Sequence, residues 1–270
     1  MKHIAIISCT YNGDSPEFLD QMLLSVTTAI LPDNITFRIY MHIDGEISSE
    51  HETVLNKYNI YKKVRSSSSV GLAHGLNKLI SLLEDEIYIF RMDSDDISTN
   101  DRFIKQIHFM DKNPDIDISG GSIKEFIGKE SNIVSFRSYP ATDLGNHLLK
   151  GSPLAHVTVC FRYNFFEKFG IYPVEYTLNE DIAYWFKSFK QGAIGANIQD
   201  TLVLVRMDGA YKRRSFKKAT SELKVYLQIS RWKKKLPLYP LARFLFRLLP
   251  TLVTSRIYNS ELRNSFLNNK

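Results

Sequence analysis

Residues 4–30 read IAIISCTYNGDSPEFLDQMLLSVTTAI, and the order of events within them decides the fold. An apolar, β-branched run (4–10) stops at a polar turn, Thr10-Tyr11-Asn12-Gly13-Asp14, and apolar residues then return at helical spacing over 16–30. That is a strand, a turn and a helix. The unit recurs: strands are predicted at 37–43, 61–64 and 87–92, with helical segments at 48–58 and 72–84, the last placing Leu72, Leu76, Leu79, Ile80 and Leu83 on one face. Repeated βα units call for an α/β fold with a central, mostly parallel sheet, Rossmann-like, and ligands beyond the carboxyl ends of its strands.

The polar residues that follow those strands are therefore the candidate site. Thr10, Tyr11 and Asn12 follow the first strand, Asp44-Gly45 the second and Asp93-Ser94-Asp95-Asp96 the fourth. Three aspartates in four positions repel one another, and a divalent cation removes that repulsion; hard carboxylate oxygens suit Mn²⁺ or Mg²⁺. On an extended segment Asp93 and Asp95 point the same way, making them the metal ligands, with Asp96 behind them or capping a helix. An EF-hand loop is excluded, because Ile97, Ser98 and Ile104 stand where it needs an oxygen ligand, a glycine and a glutamate. A phenol face at Tyr11 and a carboxylate at Asp44 read together as a nucleoside pocket.

Further along, a helix is predicted over Asp101–Lys112, short strands near 116–127 and 132–137, a strand over His156–Phe161, a helix over Glu180–Lys190 and a last strand over Thr201–Arg206. Glu180-Asp181 opens the aromatic helix that carries Trp185. An acidic pair there complements the helix dipole, and Asp181 is also placed to take a proton from an acceptor hydroxyl. Trp185 offers either a packing face for a sugar or a core side chain. His156 is an acceptor contact or a structural histidine. Cys9 and Cys160, the only two cysteines, lie in apolar runs and read as inert core thiols of a reducing compartment.

The net charge of +6 is uneven: residues 206–270 hold 16 Lys/Arg against 3 Asp/Glu, a net of +13, and residues 1–205 hold 19 against 26, a net of −7. An acidic body with a basic end argues against a nucleic-acid binder and for an anionic surface. The division expected is a catalytic domain over 1–206 and a basic, amphipathic helical tail over 207–270. Within that tail Leu241–Leu249 is too short to span a bilayer, so it either lies in a membrane interface or docks on the catalytic domain. The N-terminal run is too short for a signal peptide, and the protein is expected in the cytoplasm, peripheral to the inner membrane.

The chain resembles the family 2 inverting glycosyltransferases of the GT-A fold. The matching residues are Thr10-Tyr11-Asn12-Gly13, Gly71-Leu72 with Leu76-Asn77, Arg91-Met92-Asp93-Ser94-Asp95-Asp96, Arg102 and Gln106, Asn113-Pro114, Ser152-Pro153 with His156, Phe166-Glu167-Lys168-Phe169-Gly170, and Glu180-Asp181 with Trp185. Within the family it is similar to the bacterial amylovoran, capsule and O-antigen enzymes. The resemblance implies a UDP-sugar donor, Mn²⁺ or Mg²⁺ on a DxD motif, and an undecaprenyl-diphosphate-linked saccharide as acceptor. It gives uridine to Tyr11 and Asp44, the metal-diphosphate to Asp93 and Asp95, the base to Asp181, and substrate contacts to Thr10, Asn12, Asn77, His156, Glu180 and Trp185. Ser69, Ala183 and Tyr184 depart from the family pattern, and the QxxRW motif of processive enzymes is absent, so one sugar per acceptor is expected. Galactose from UDP-galactose in a β1,3 link is the donor and linkage the relatives suggest. A sugar nucleotidylyltransferase would need a Gly-rich basic loop where CTYNGDSPEF has one glycine and two acids. A non-enzymatic membrane-surface protein would leave the aspartates without a purpose.

Overall fold

The structure, a computed structural model, describes residues 1–208 and 216–248. Strand β1 (Lys2–Thr10), helix α1 (Pro16–Thr27), β2 (Ile35–Asp44), α2 (Ser49–Lys57), β3 (Lys62–Ser66), α3 (Leu72–Ile80) and β4 (Tyr88–Arg91) form the repeated unit predicted from the sequence. There follow β5 (Ile97–Ser98), α4 (Arg102–Lys112), β6 (Ile118–Phe126), β7 (Ile133–Arg137), α5 (Leu144–His147), β8 (Cys160–Arg162), α6 (Phe165–Phe169), α7 (Glu180–Lys190), β9 (Gly195–Arg206), α8 (Phe216–Trp232) and α9 (Leu238–Leu248).

One sheet runs β3-β2-β1-β4-β8-β6-β9-β5, with β7 paired to β6. The β3-β2-β1-β4 block is parallel throughout. Beyond it the sheet is mixed, with β8 antiparallel to both β4 and β6, and β9 parallel to β6. Alternate residues of β1 feed opposite faces: Ala5 and Ile7 pack with Tyr40, Ile89 and helices α3 and α7, whereas Ile4 and Ile6 pack with Met41, Phe90 and helices α1 and α4. Both faces are covered, which is why these strands read as unbroken apolar runs.

Two elements differ from the sequence expectation. His156–Thr158 is a turn of 3₁₀ helix ahead of the short β8, not the start of a strand. The Thr158 backbone N–H and its hydroxyl both donate to Ala155 O, at 2.9 Å each, a local closure that competes with strand pairing. Strand β9 begins at Gly195, six residues before the predicted Thr201, because pairing with β6 extends through Gly120 and Gly121. There the absent Cβ atoms matter: one on Gly121 would lie 2.4 Å from Leu202 Cδ1.

Trp185 is wholly buried, against Tyr184, His156 and Phe161, and its ring N–H has no hydrogen-bond partner among the described residues. Trp185→Ala is expected to cost about 3–5 kcal/mol in a denaturant titration. Trp185→Phe should cost much less, since it keeps most of the ring volume and removes the unpaired donor.

Helix α8 belongs to the same core. Its Val225, Tyr226 and Ile229 are buried in the cluster that holds α7, and Trp232 packs on Phe186. Helix α9 is held from below: Glu222 of α8, almost fully buried, accepts from Arg243 Nε and from Arg247 Nε, each at 2.9 Å. Of the apolar residues in the Leu241–Leu249 segment, Leu249 lies outside the described residues, as do Arg213 and Arg214.

Candidate active site

A cavity of about 650 Å³ opens at the carboxyl ends of β1, β2 and β4. It is lined by Thr10, Tyr11 and Asp14 after β1, Asp44 after β2, Arg91, Asp93, Ser94 and Asp95 around the end of β4, and Glu180 and Asp181 at the start of α7. His156, Lys218 of α8 and the Cys9 and His42 side chains complete its floor and wall.

The loop after β1 is organised by Asp14. One of its carboxylate oxygens accepts from Thr10 Oγ1 (3.0 Å), the Tyr11 backbone N–H (3.3 Å) and Ser94 Oγ (2.6 Å), tying the first loop to the acidic motif. Burial raises the Asp14 pKa, and the three donors oppose that rise. Tyr11 is half exposed, with its ring across Gly13, where a Cβ would lie 2.4 Å from the ring. Across the opening, Asp44 accepts from Ser69 Oγ (2.9 Å), Val70 N (2.7 Å) and Gly71 N (3.0 Å), fixing the loop that leads into α3.

The acidic motif is built on buried arginines. Arg91, almost fully buried, places both terminal guanidinium nitrogens on the Asp93 carboxylate. Beneath it Arg102, wholly buried, donates to Arg91 O (2.9 Å) and to Gln106 Oε1 (3.1 Å), and Gln106 reaches Thr158 O at 2.9 Å. Burial pulls the Arg102 pKa down to about 9. Arg206, the last residue of β9, is a fastener for the motif. Its backbone N–H donates to Asp96 Oδ1 (2.8 Å), its Nε donates to Asp95 O (3.0 Å), and its guanidinium lies 3.7 Å over the Phe18 ring.

Carboxylate oxygens of Asp93, Asp95 and Asp96 lie within 4.8 Å of one another. Burial, and then the charges of Asp93 and Asp95, push the Asp96 pKa far up. The cavity lining holds six carboxylates, from Asp14, Asp44, Asp93, Asp95, Glu180 and Asp181, against the cations of Arg91 and Lys218. Hard oxygen donors at this spacing, in a site too acidic to receive a diphosphate unaided, fit a divalent cation such as Mn²⁺ or Mg²⁺.

At the other wall, burial raises the pKa of both Glu180 and Asp181. Glu180 Oε2 is buried without a hydrogen-bond partner among the described residues. Burial, then Arg91, drives the His156 pKa well down, so its ring is neutral; Nε2 pairs with Tyr172 Oη at 2.9 Å.

Of the residues singled out in the sequence, Thr10, Tyr11, Asp44, Asp93, Asp95, His156, Glu180 and Asp181 meet in this cavity. Asn12 is exposed on the loop above, outside the lining. Two readings are corrected. Asn77 is not at the cavity: its amide donates to Tyr172 O and accepts from Tyr172 N, both at 2.9 Å, so it is spent on the backbone of the 172 loop. Trp185 lies one layer too deep to present a face to a sugar. Sequence reasoning gave no role to Asp14, Arg91 or Lys218. The signal for Arg91 was available, since a charged residue inside the apolar run IYIFRM needs a buried partner.

A parallel α/β block that continues into a mixed sheet, with an acidic crevice over its carboxyl edge, is the architecture of the GT-A fold. The chain belongs to glycosyl transferase family 2, whose sequence model matches residues 5–173. It is 30% identical to the Escherichia coli UDP-Gal:alpha-D-GlcNAc-diphosphoundecaprenol beta-1,3-galactosyltransferase, over 96% of each chain. It is 31% identical to an uncharacterized glycosyltransferase of Haemophilus influenzae, over 96% of this chain and 98% of that one. The amylovoran biosynthesis glycosyltransferase AmsE of Erwinia amylovora is 27% identical, over 95% and 98%. Among solved structures, S. aureus TarS superposes with a TM-score of 0.66 at 18% identity, a likeness of fold that covers 92% of this chain and 43% of TarS.

Proposed function

We propose that this glycosyltransferase moves one sugar from a UDP-sugar, with inversion, to a saccharide carried on a lipid diphosphate of the undecaprenyl class, in assembly of a bacterial O-antigen, capsule or exopolysaccharide. The observation that carries the reading is the single cavity joining Tyr11 and Asp44, the Asp93–Asp95 motif and Asp181. The printed name of the E. coli relative supports galactose from UDP-galactose and a β1,3 linkage, and a TarS structure in complex with UDP supports the donor class.

In this reading Tyr11 stacks on uracil, and Asp44 takes a ring N–H on lone pairs left by its three loop donors. Asp93, held by Arg91, and Asp95 would hold Mn²⁺ or Mg²⁺, which when bound would neutralise the diphosphate and stabilise it as a leaving group. Asp181 accepts the proton of the acceptor hydroxyl as its oxygen bonds to the anomeric carbon. The bond from that carbon to the diphosphate oxygen breaks, and UDP departs from the opposite face. Thr10 and Ser94 keep Asp14, and with it the first loop, in register. The side chains given roles here lie within residues 1–206, α8 adds Lys218 to the cavity wall and packs in the same core, and the basic tail keeps the enzyme at the inner-membrane surface.

The test is transfer from a panel of UDP-sugars to a lipid-diphosphate saccharide, with and without Mn²⁺. Transfer unaffected by chelation would remove the metal, and no turnover of any UDP-sugar would remove the donor class. Tyr11→Ala should weaken UDP binding by about tenfold in calorimetry, from loss of a stacking contact worth roughly 1–3 kcal/mol.

A further inference from the structure

Helix α9 is amphipathic in the reverse of the usual sense. At 3.6 residues per turn Leu238, Leu241, Leu245 and Leu248 fall within about 80° on one side, with Arg243 and Arg247 opposite. Both arginines face the protein, where Glu222 accepts from them and the Arg243 guanidinium sits 5.1 Å over the Tyr226 ring. The leucines face out: Leu238 is 70% exposed, Leu241 45%, Leu245 64% and Leu248 47%. The preceding turn adds exposed Lys234, Lys235 and Leu236. Arginines drawn inward onto a buried Glu222, at 31% and 24% side-chain exposure, beneath four solvent-facing leucines invert the arrangement expected of a helix that faces water alone.

We propose that this stripe inserts into the interface of an anionic bilayer, with α9 lying in the membrane plane and Glu222 keeping its arginines out of the lipid. This rests on the transferase reading only for why a membrane is at hand. It also changes the source of the attachment, from the positive charge of the tail to apolar insertion assisted by Lys234 and Lys235. No helix among the described residues is long and apolar enough to cross a membrane, and an apolar stripe on an 11-residue helix suits the interface plane. A second copy of the chain is the poorer occupant. One face of an 11-residue helix falls well short of the roughly 800 Å² per partner of a stable dimer, and it would bring two basic tails together.

The test uses the full chain with phosphatidylethanolamine–phosphatidylglycerol vesicles. Leu241→Ser with Leu245→Ser should lower sedimentation with vesicles by about tenfold or more, leaving UDP-sugar hydrolysis in solution and the melting curve unchanged. High salt should weaken wild-type binding only in part. Unchanged sedimentation of the leucine variant, or complete release of wild type by salt, would overturn insertion. A wild-type dimer in vesicle-free light scattering that the variant loses would assign the stripe to a second copy. If the vesicle results hold but no sugar is transferred, it is the transferase reading that fails.

Discussion

Asp181→Asn is expected to lower kcat by about 10²–10⁴-fold, the range for loss of a positioned general base, while UDP binding stays near wild type. The prediction has two parts because Asp181 is carried by α7 whereas Tyr11 and Asp44 follow β1 and β2, so the proposed nucleoside contacts do not depend on it. Burial raises its pKa against the pull of the Ile182 backbone N–H, Lys218 and Arg91. A raised carboxylate is a stronger base, and it works only when ionised. Activity should therefore climb as pH rises through that raised pKa, and the small residual rate of Asp181→Asn should lack the limb. Ionisation also costs stability, because a folded-state pKa above the unfolded one means the fold favours the protonated acid. Stability should fall as pH rises from the unfolded value through the raised one. Glu180→Gln is the control, since Glu180 also lines the cavity with one oxygen unpaired. If it loses more rate than Asp181→Asn and takes the acid limb with it, the base is Glu180.

Asp95→Ala should reduce transfer by on the order of 10²–10³-fold, by analogy with removing one element of a preorganised electrostatic clamp, and should abolish the response to added Mn²⁺. The magnitude follows from the charge balance of the cavity. A carboxylate about 4 Å from a diphosphate oxygen repels it by about 4 kcal/mol at an effective dielectric near 20, and several face the space the diphosphate would fill. Asp93→Ala should behave differently. It leaves the Arg91 guanidinium without its carboxylate, in a side chain only 3% exposed. Breaking a fully buried pair costs about 3–5 kcal/mol, and the cost here should be a fraction of that because Asp93 is 38% exposed. Denaturant titration separates the two variants: Asp95→Ala near wild type, Asp93→Ala measurably weaker. Equal stability would mean that Arg91 does not depend on Asp93.

The parallel half of the sheet was legible because each strand is an apolar run ended by a polar turn, as IAIISCT ends at Tyr11 and IYIFRM at Asp93. The same rule located most of the cavity, since loops at the carboxyl ends of parallel strands converge. It failed where the deciding contact is distant in sequence. Gly195–Gln199 offers only Ala196 and Ile198 as apolar residues, too short an alternation to mark a strand, and it is held as strand by pairing with β6. Asn77 looked like a polar residue on offer, and only the neighbouring Tyr172 backbone shows it is occupied. Trp185 and Asp181 sit four residues apart on α7, yet one is core and the other cavity. Helix spacing gives their relative angle and not which angle faces the cleft. The tail misled in a subtler way, because its 16 Lys and Arg dominate the charge count while two of the arginines point inward.

The contacts of Arg206 set an order of assembly. Asp95 and Asp96 are made early in the chain, and the residue that seats them follows 110 positions after Asp96. Contacts this far apart close late, after the local βα units have formed. A nascent polypeptide that has not yet released β9 carries every acidic side chain of the motif and lacks the fastener that shapes it. Under the proposed function, donor binding is expected only once β9 has joined the sheet.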